Sequence, residues 1–106
     1  VTTDRFPAPG HIYEARFGAM AFRLQFDADG RTMRFVPADA PNFTGAQAVT
    51  YQATAIRPGV FMVTWKEADG TTVTHVEDFE HGEVRTNITQ PDLTFLNLAG
   101  TWSRVG

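Results

Sequence analysis

The chain has no cysteine. That excludes a disulfide framework, a thiolate nucleophile and a thiolate metal site. No run is long and apolar enough for a signal peptide or a membrane-spanning helix, so no membrane partner is expected and a cytoplasmic location is the default. No basic cluster is present and the formal net charge is -3, which argues against a nucleic-acid partner. There is no Gly-x-Ser-x-Gly, no phosphate loop and no dinucleotide fingerprint. No spacing of Ser, His and Asp marks a triad, and His11 and His81 have no metal-ligand spacing. Neither a cofactor nor a metal is expected. Finally, no window carries a helical apolar stripe, which leaves an all-β chain.

What remains is an ordinary globular composition, 42% hydrophobic and 20% charged over 106 residues. That length makes one domain, spanning 1–106, with room for one core or one small cavity. Nine phenylalanines in so short a chain point to an aromatic-rich core or an aromatic-lined pocket.

Period-two alternation recurs along the chain. After an irregular lead-in over Val1–Gly10, His11–Phe17 alternates with Tyr13, Ala15 and Phe17 on one side. Met20–Phe26 places Met20, Phe22, Leu24 and Phe26 together, and an Asp27–Gly30 hairpin loop returns the chain into Arg31–Val36. Met33 and Phe35 share one face of that strand, Thr32 and Arg34 the other. Pro37–Gly45 is the longest gap between strands and is placed to lie over an opening, with Phe43 as a cover or an anchor. Ala46–Arg57 is a long strand with Val49, Tyr51, Ala53 and Ala55 on one side.

The stretch Val60–Val76 then reads as a central hairpin. Phe61, Val63 and Trp65 share a face, Ala68-Asp69-Gly70 turns, and the β-branched return strand continues through His75 to Phe79. Parity puts Glu67 on the face of Trp65, and puts His75 and Glu77 on a common face. Glu80-His81-Gly82 turns again; Glu83–Thr89, Thr94–Leu98 and Thr101–Val105 follow. About eight short strands with hairpin-length connections predict an antiparallel up-and-down β-barrel, whose interior is either filled or holds one small ligand.

The motif Trp65-x-Glu67-x-x-Gly70-Thr71-x-Val73, after Pro58-Gly59-Val60-Phe61 and with Tyr13 on the first strand, resembles the MoaF-like branch of the calycin (lipocalin-like) barrels. It is also similar to the phenolic acid decarboxylases, which share that barrel. The resemblance is best over Arg57–Gly82 and implies a barrel with a small-molecule cavity. In the decarboxylases the motif's glutamate donates the catalytic proton, a role that Glu67 matches by position. A pair of tyrosines on the first strand and an arginine before the central hairpin place the substrate there. Tyr13 matches one tyrosine, Ala15 stands where the second would be, and no arginine stands near Thr44.

Each polar candidate has two readings. Glu67 is either a desolvated acid with a raised pKa, suited to proton donation, or a strand-end carboxylate in water. Tyr13 either directs its hydroxyl to a ligand or sits at the rim as a wall residue. Trp65, Phe61 and Tyr51 are wall or core. His75 with Glu77 forms part of an acid/base or metal site, or is a buried pair. Arg34 either meets an anionic ligand or faces outward. Trp102, after Gly100-Thr101, reads as a barrel-closing aromatic.

Three functions fit. The first is a small-molecule-binding barrel whose aromatic-lined cavity takes one apolar or aromatic ligand, with Glu67, Tyr13, Trp65, Phe61, Tyr51, His75 and Arg34 as candidate site residues. The second is a cofactor-free lyase or isomerase in the same cavity, with Glu67 as proton donor on an unsaturated aromatic acid and Tyr13 holding the substrate. The third is an assembly module in which Phe22, Phe26, Phe35, Phe61 and Trp65 fill the barrel. A homodimer is compatible with all three.

Overall fold

In a computed structural model, residues 5–106 are described. Eight strands form a closed antiparallel barrel in chain order. They are β1 (Ile12–Phe17), β2 (Met20–Phe26), β3 (Thr32–Pro37), β4 (Gln47–Arg57), β5 (Val60–Lys66), β6 (Thr72–Asp78), β7 (Glu83–Thr89) and β8 (Phe95–Arg104). Each strand pairs with the next, and β1 pairs with β8 to close the cylinder. Closure leaves no unpaired sheet edge and gives every strand a buried inner face. Among the described residues no helix is long and apolar enough to cross a membrane.

Alternation decides which side chains point inward. Tyr13, Ala15 and Phe17 of β1, Leu24 and Phe26 of β2, Phe61, Val63 and Trp65 of β5, and Val73, His75 and Glu77 of β6 are all buried. The outward set is mostly polar or short, with Ile56, Met62 and Phe95 as exposed apolar exceptions. Glu14, for instance, accepts from Arg16 on its own strand at 3.0 Å and lies 3.5 Å from Arg23 on β2.

The inner space is divided along the barrel axis. One end is packed solid with aromatic rings. Phe6, from the strandless lead-in, sits edge-on to Phe26, Phe61 and Phe79 with centroids 5.2–5.6 Å apart, and tilted against Tyr51 at 5.7 Å. Tyr13 stacks on Trp102 at 5.0 Å with an interplanar angle of 9°. Edge-to-face packing of this kind adds about 0.5–1.5 kcal/mol per pair beyond area burial. Ala8 beside Phe6 is fully buried, and Gly10 donates its N–H to the Phe26 carbonyl at 2.9 Å. The irregular lead-in expected over Val1–Gly10 is therefore a plug as far as it is described; Val1–Asp4 lie outside the described residues.

Where two strands are expected over Thr94–Val105, the chain makes a single one, β8. Gly100 is not a break. A Cβ there would lie 2.1 Å from the Arg16 carbonyl oxygen, so the residue is small because β8 and the end of β1 approach closely. Glycine marks a site of close backbone approach as readily as a turn.

Candidate functional site

At the end opposite the aromatic plug the barrel is open. The turns β1–β2, β5–β6 and β7–β8 surround a cavity of about 270 Å³. Its walls are largely apolar: Ala15 and Phe17 from β1, Phe22 and Leu24 from β2, Phe35 from β3, Trp65 from β5 and Val73 from β6. Ile88 and Leu96 close the remaining side. A dry cavity of about 150 Å³ holds one benzene, so this one has room for a substituted single ring or a short branched chain. No residue of the Pro37–Gly45 loop, expected to lie over an opening, lines this cavity, and Phe43 is half-buried elsewhere.

Two ionisable side chains in this wall, Glu67 and His75, each contact Trp65; Asp69, in the β5–β6 turn, is a third ionisable residue of the lining. Glu67 follows β5, on the face that parity assigns to it. Its Oε2 accepts a hydrogen bond from Trp65 Nε1 at 3.1 Å. Its backbone N–H donates to the Thr71 carbonyl at 2.7 Å and its carbonyl accepts from Gly70, which ties the strand end into the β5–β6 turn. Burial pushes the Glu67 carboxyl up from the usual carboxylate range; the Trp65 bond opposes that, and the Asp69 charge reinforces it.

The His75 ring lies 4.8 Å from the Trp65 ring, edge to face. His75 and Glu77 are 4% and 0% exposed. His75 Nδ1 meets Glu77 Oε2 at 2.9 Å, and Glu77 Oε1 has no partner among the described residues. Burial pushes the Glu77 carboxyl up, against the bond and charge of His75. Because Nδ1 is engaged below, the other ring nitrogen, Nε2, is the one left for the cavity that His75 lines.

Of the seven expected site residues, Glu67, Trp65 and His75 meet in this cavity. The other four do not line it. Tyr13, Phe61 and Tyr51 point inward but lie deeper, among the rings of the plug. Tyr51 is pushed up to about 12 by burial and by the nearby Asp29, Glu77 and Asp27 charges, and its hydroxyl has no partner among the described residues. Arg34 is on the outer face of β3, ion-paired with Asp27. Its neighbours Met33 and Phe35 take the inner positions, so the guanidinium faces solvent. The aromatic residues expected to fill the barrel divide likewise: Phe22, Phe35 and Trp65 line the cavity, Phe26 and Phe61 the plug.

Glu77 is the residue that sequence reasoning left outside its site set. Its position two residues after His75 was the available signal, since equal parity makes such a pair neighbours on one strand face. Among the described residues no cluster of three or more His, Asp or Glu is arranged to hold a metal ion.

Comparison with known proteins agrees with this architecture. No curated protein matches the chain. A crystal structure from Burkholderia vietnamiensis, described as a "putative beta-lactamase", superposes with a TM-score of 0.86 at 33% sequence identity, covering 97% of this chain and 100% of that one. The MoaF-like family profile matches residues 9–103, nearly the whole barrel. The chain belongs to the MoaF-like family.

Proposed function

We propose that this protein binds one small apolar or aromatic molecule in the open end of its barrel. The observation that carries the reading is the division of the interior. One end is closed by interlocked rings, while the other keeps about 270 Å³ with largely apolar walls into which Glu67 and His75 project, with Asp69, Thr71 and Gln90 also in the lining. Apolar walls supply affinity by area, and a few convergent polar groups fix orientation. A ligand with one ring and one carbonyl, hydroxyl or carboxyl group fits that pattern. Glu67, pushed toward its neutral form, offers a proton donor to a ligand oxygen.

The Burkholderia protein's description does not transfer to a serine mechanism in this cavity. The chain's single serine, Ser103, is exposed on β8, and cysteine is absent.

The test is native mass spectrometry of protein isolated from its source host, beside Glu67→Gln and Leu24→Trp. Leu24 lines the cavity, and tryptophan there fills it. A retained small molecule on the wild type, weakened in Glu67→Gln and absent in Leu24→Trp, supports the reading. An adduct that survives Leu24→Trp refutes this cavity as its seat.

A further inference from the structure

The His75–Glu77 pair has a geometry that ligand binding alone does not require. A histidine that only oriented a ligand would need no buried carboxylate behind it. Here a fully buried carboxylate engages Nδ1 at 2.9 Å, beneath an imidazole that lines the cavity. Above the pH at which Glu77 ionises, Nδ1–H donates to Oε2 and the lone pair of Nε2 is turned to the ligand. That is the arrangement by which a carboxylate sets the tautomer of a general base. In the same cavity, the Glu67 carboxyl is bound by a single indole N–H, that of Trp65. One cavity therefore holds a base with its orienting group, and separately an acid.

We propose, resting on the ligand-binding reading above, that the cavity catalyses proton transfer at carbon: His75, positioned by Glu77, is the general base, and Glu67 is the general acid, acting on a small unsaturated carbonyl compound. The C–H bond beside the carbonyl breaks and its proton joins His75 Nε2. The electron pair becomes the C=C bond of an enol, while the carbonyl oxygen takes the proton of Glu67. The protonated His75 then delivers its proton to the far carbon of the extended enol, and the enol O–H proton returns to Glu67. The double bond has moved into conjugation, both side chains are restored, and no oxidant, reductant or cofactor enters.

Three further observations bear on this assignment. Paired titratable groups in different environments are how one site supplies both an acid and a base. Burial pushes Glu67 toward the protonated form that an acid needs. The largely apolar walls lower the local dielectric, which strengthens the contact between Glu67 and the reacting oxygen. The groups that face Glu77 from neighbouring elements, besides His75, are Tyr13 of β1 and Tyr51 of β4, whose hydroxyls feel its charge.

The test uses nitrobenzisoxazole, a one-ring carbon acid. Removal of its ring proton by a base breaks the N–O bond and releases a coloured cyanonitrophenolate. Binding is read separately, by quenching of tryptophan fluorescence. The expected result is saturable turnover by the wild type that falls about 10²–10⁴-fold in His75→Gln with binding retained, the range a general base contributes. Glu77→Gln, nearly isosteric, lowers kcat at least about tenfold with KM unchanged, because it alters the base and not the walls. A purely structural Glu77 would leave kcat intact in the folded variant. Should His75→Gln fail to fold, the Glu77→Gln split decides alone. Binding without turnover, or equal turnover in wild type and Glu77→Gln, overturns the proton-transfer assignment and leaves the ligand-binding reading standing. Absence of binding by the wild type overturns both.

Discussion

Replacing Gly100 by alanine tests the closure of the barrel directly. The new Cβ would lie 2.1 Å from the Arg16 oxygen, 2.8 Å from the Arg16 carbonyl carbon and 2.8 Å from Phe17 Cδ1, where ordinary contact begins at 3.4 Å. The backbone there must separate by about 1.3 Å. Neither Arg16 atom can yield, since both belong to β1. A ladder hydrogen bond of ordinary length, about 2.9 Å, stretched by that amount is lost. The β1–β8 pairing spans only Tyr13↔Arg104 to Arg16↔Thr101, so Arg16 is its last rung. One or two lost bonds at about 1 kcal/mol each, plus overpacking at about 1–3 kcal/mol, sum to roughly 2–5 kcal/mol. For a domain of this size 1 kcal/mol moves Tm by about 4–8 °C, so a fall of at least about 8 °C is expected. Thermal and urea unfolding monitored by circular dichroism measure it. The shift should also reach the cavity, because Phe17 and Ala15 on the displaced strand line it. A Gly100→Ala protein that melts within about 3 °C of wild type would refute the close approach.

Other outcomes follow from the same reasoning. Phe6→Ala should lower stability by about 2–4 kcal/mol, at or below the usual cost of a buried Phe→Ala because Phe6 is half-buried; an unchanged urea midpoint would remove Phe6 from the plug. A carboxyl whose folded pKa is raised stabilises the fold below its unfolded value of about 4.3, and that contribution is lost as pH rises through the folded value. Glu77 is raised by burial, so Glu77→Gln should gain stability relative to wild type as pH rises above the unfolded carboxyl value of about 4.3. Urea midpoints below and above that value measure the gain, and a constant difference would contradict it. Leu93 has φ of 72° and is 80% exposed; Leu93→Gly should raise stability by about 0.5–1 kcal/mol, and a loss would show that the leucine makes contacts that offset its backbone strain.

Parity made legible which side chains share a strand face, but not which face of each strand points into the barrel. Trp65 with Glu67, and His75 with Glu77, share faces as the alternation requires. Hairpin boundaries were legible too, because Gly30, Gly59, Gly70 and Gly82 sit at positive φ where the chain reverses. Depth along the barrel was not. Even with the inner face of each strand known, strand tilt and stagger decide whether an inward residue such as Tyr13, Tyr51 or Phe61 meets the cavity or the plug. Those quantities involve several strands at once, so no single window holds them. The role of Phe6 was hidden for a related reason. A lone phenylalanine between an arginine and a proline has no periodicity, and its significance comes only from the rings gathered around it. Gly100 shows a third limit: the residue that forbids its side chain, Arg16, is at the other end of the sequence.

The pairing of the first strand with the last also bears on how the molecule is made. Seven of its eight strand pairings join sequence neighbours and can form as soon as each hairpin exists. The eighth cannot form until β8 is complete, and it alone joins the first strand to the last. Before that, β1 carries an unpaired edge, and so does whichever strand was made last. Closing a long loop is the slow event in folding a barrel. During that interval the β1 edge of one molecule is open to the β8 of another, which makes strand exchange at this seam the expected misassembly at high concentration.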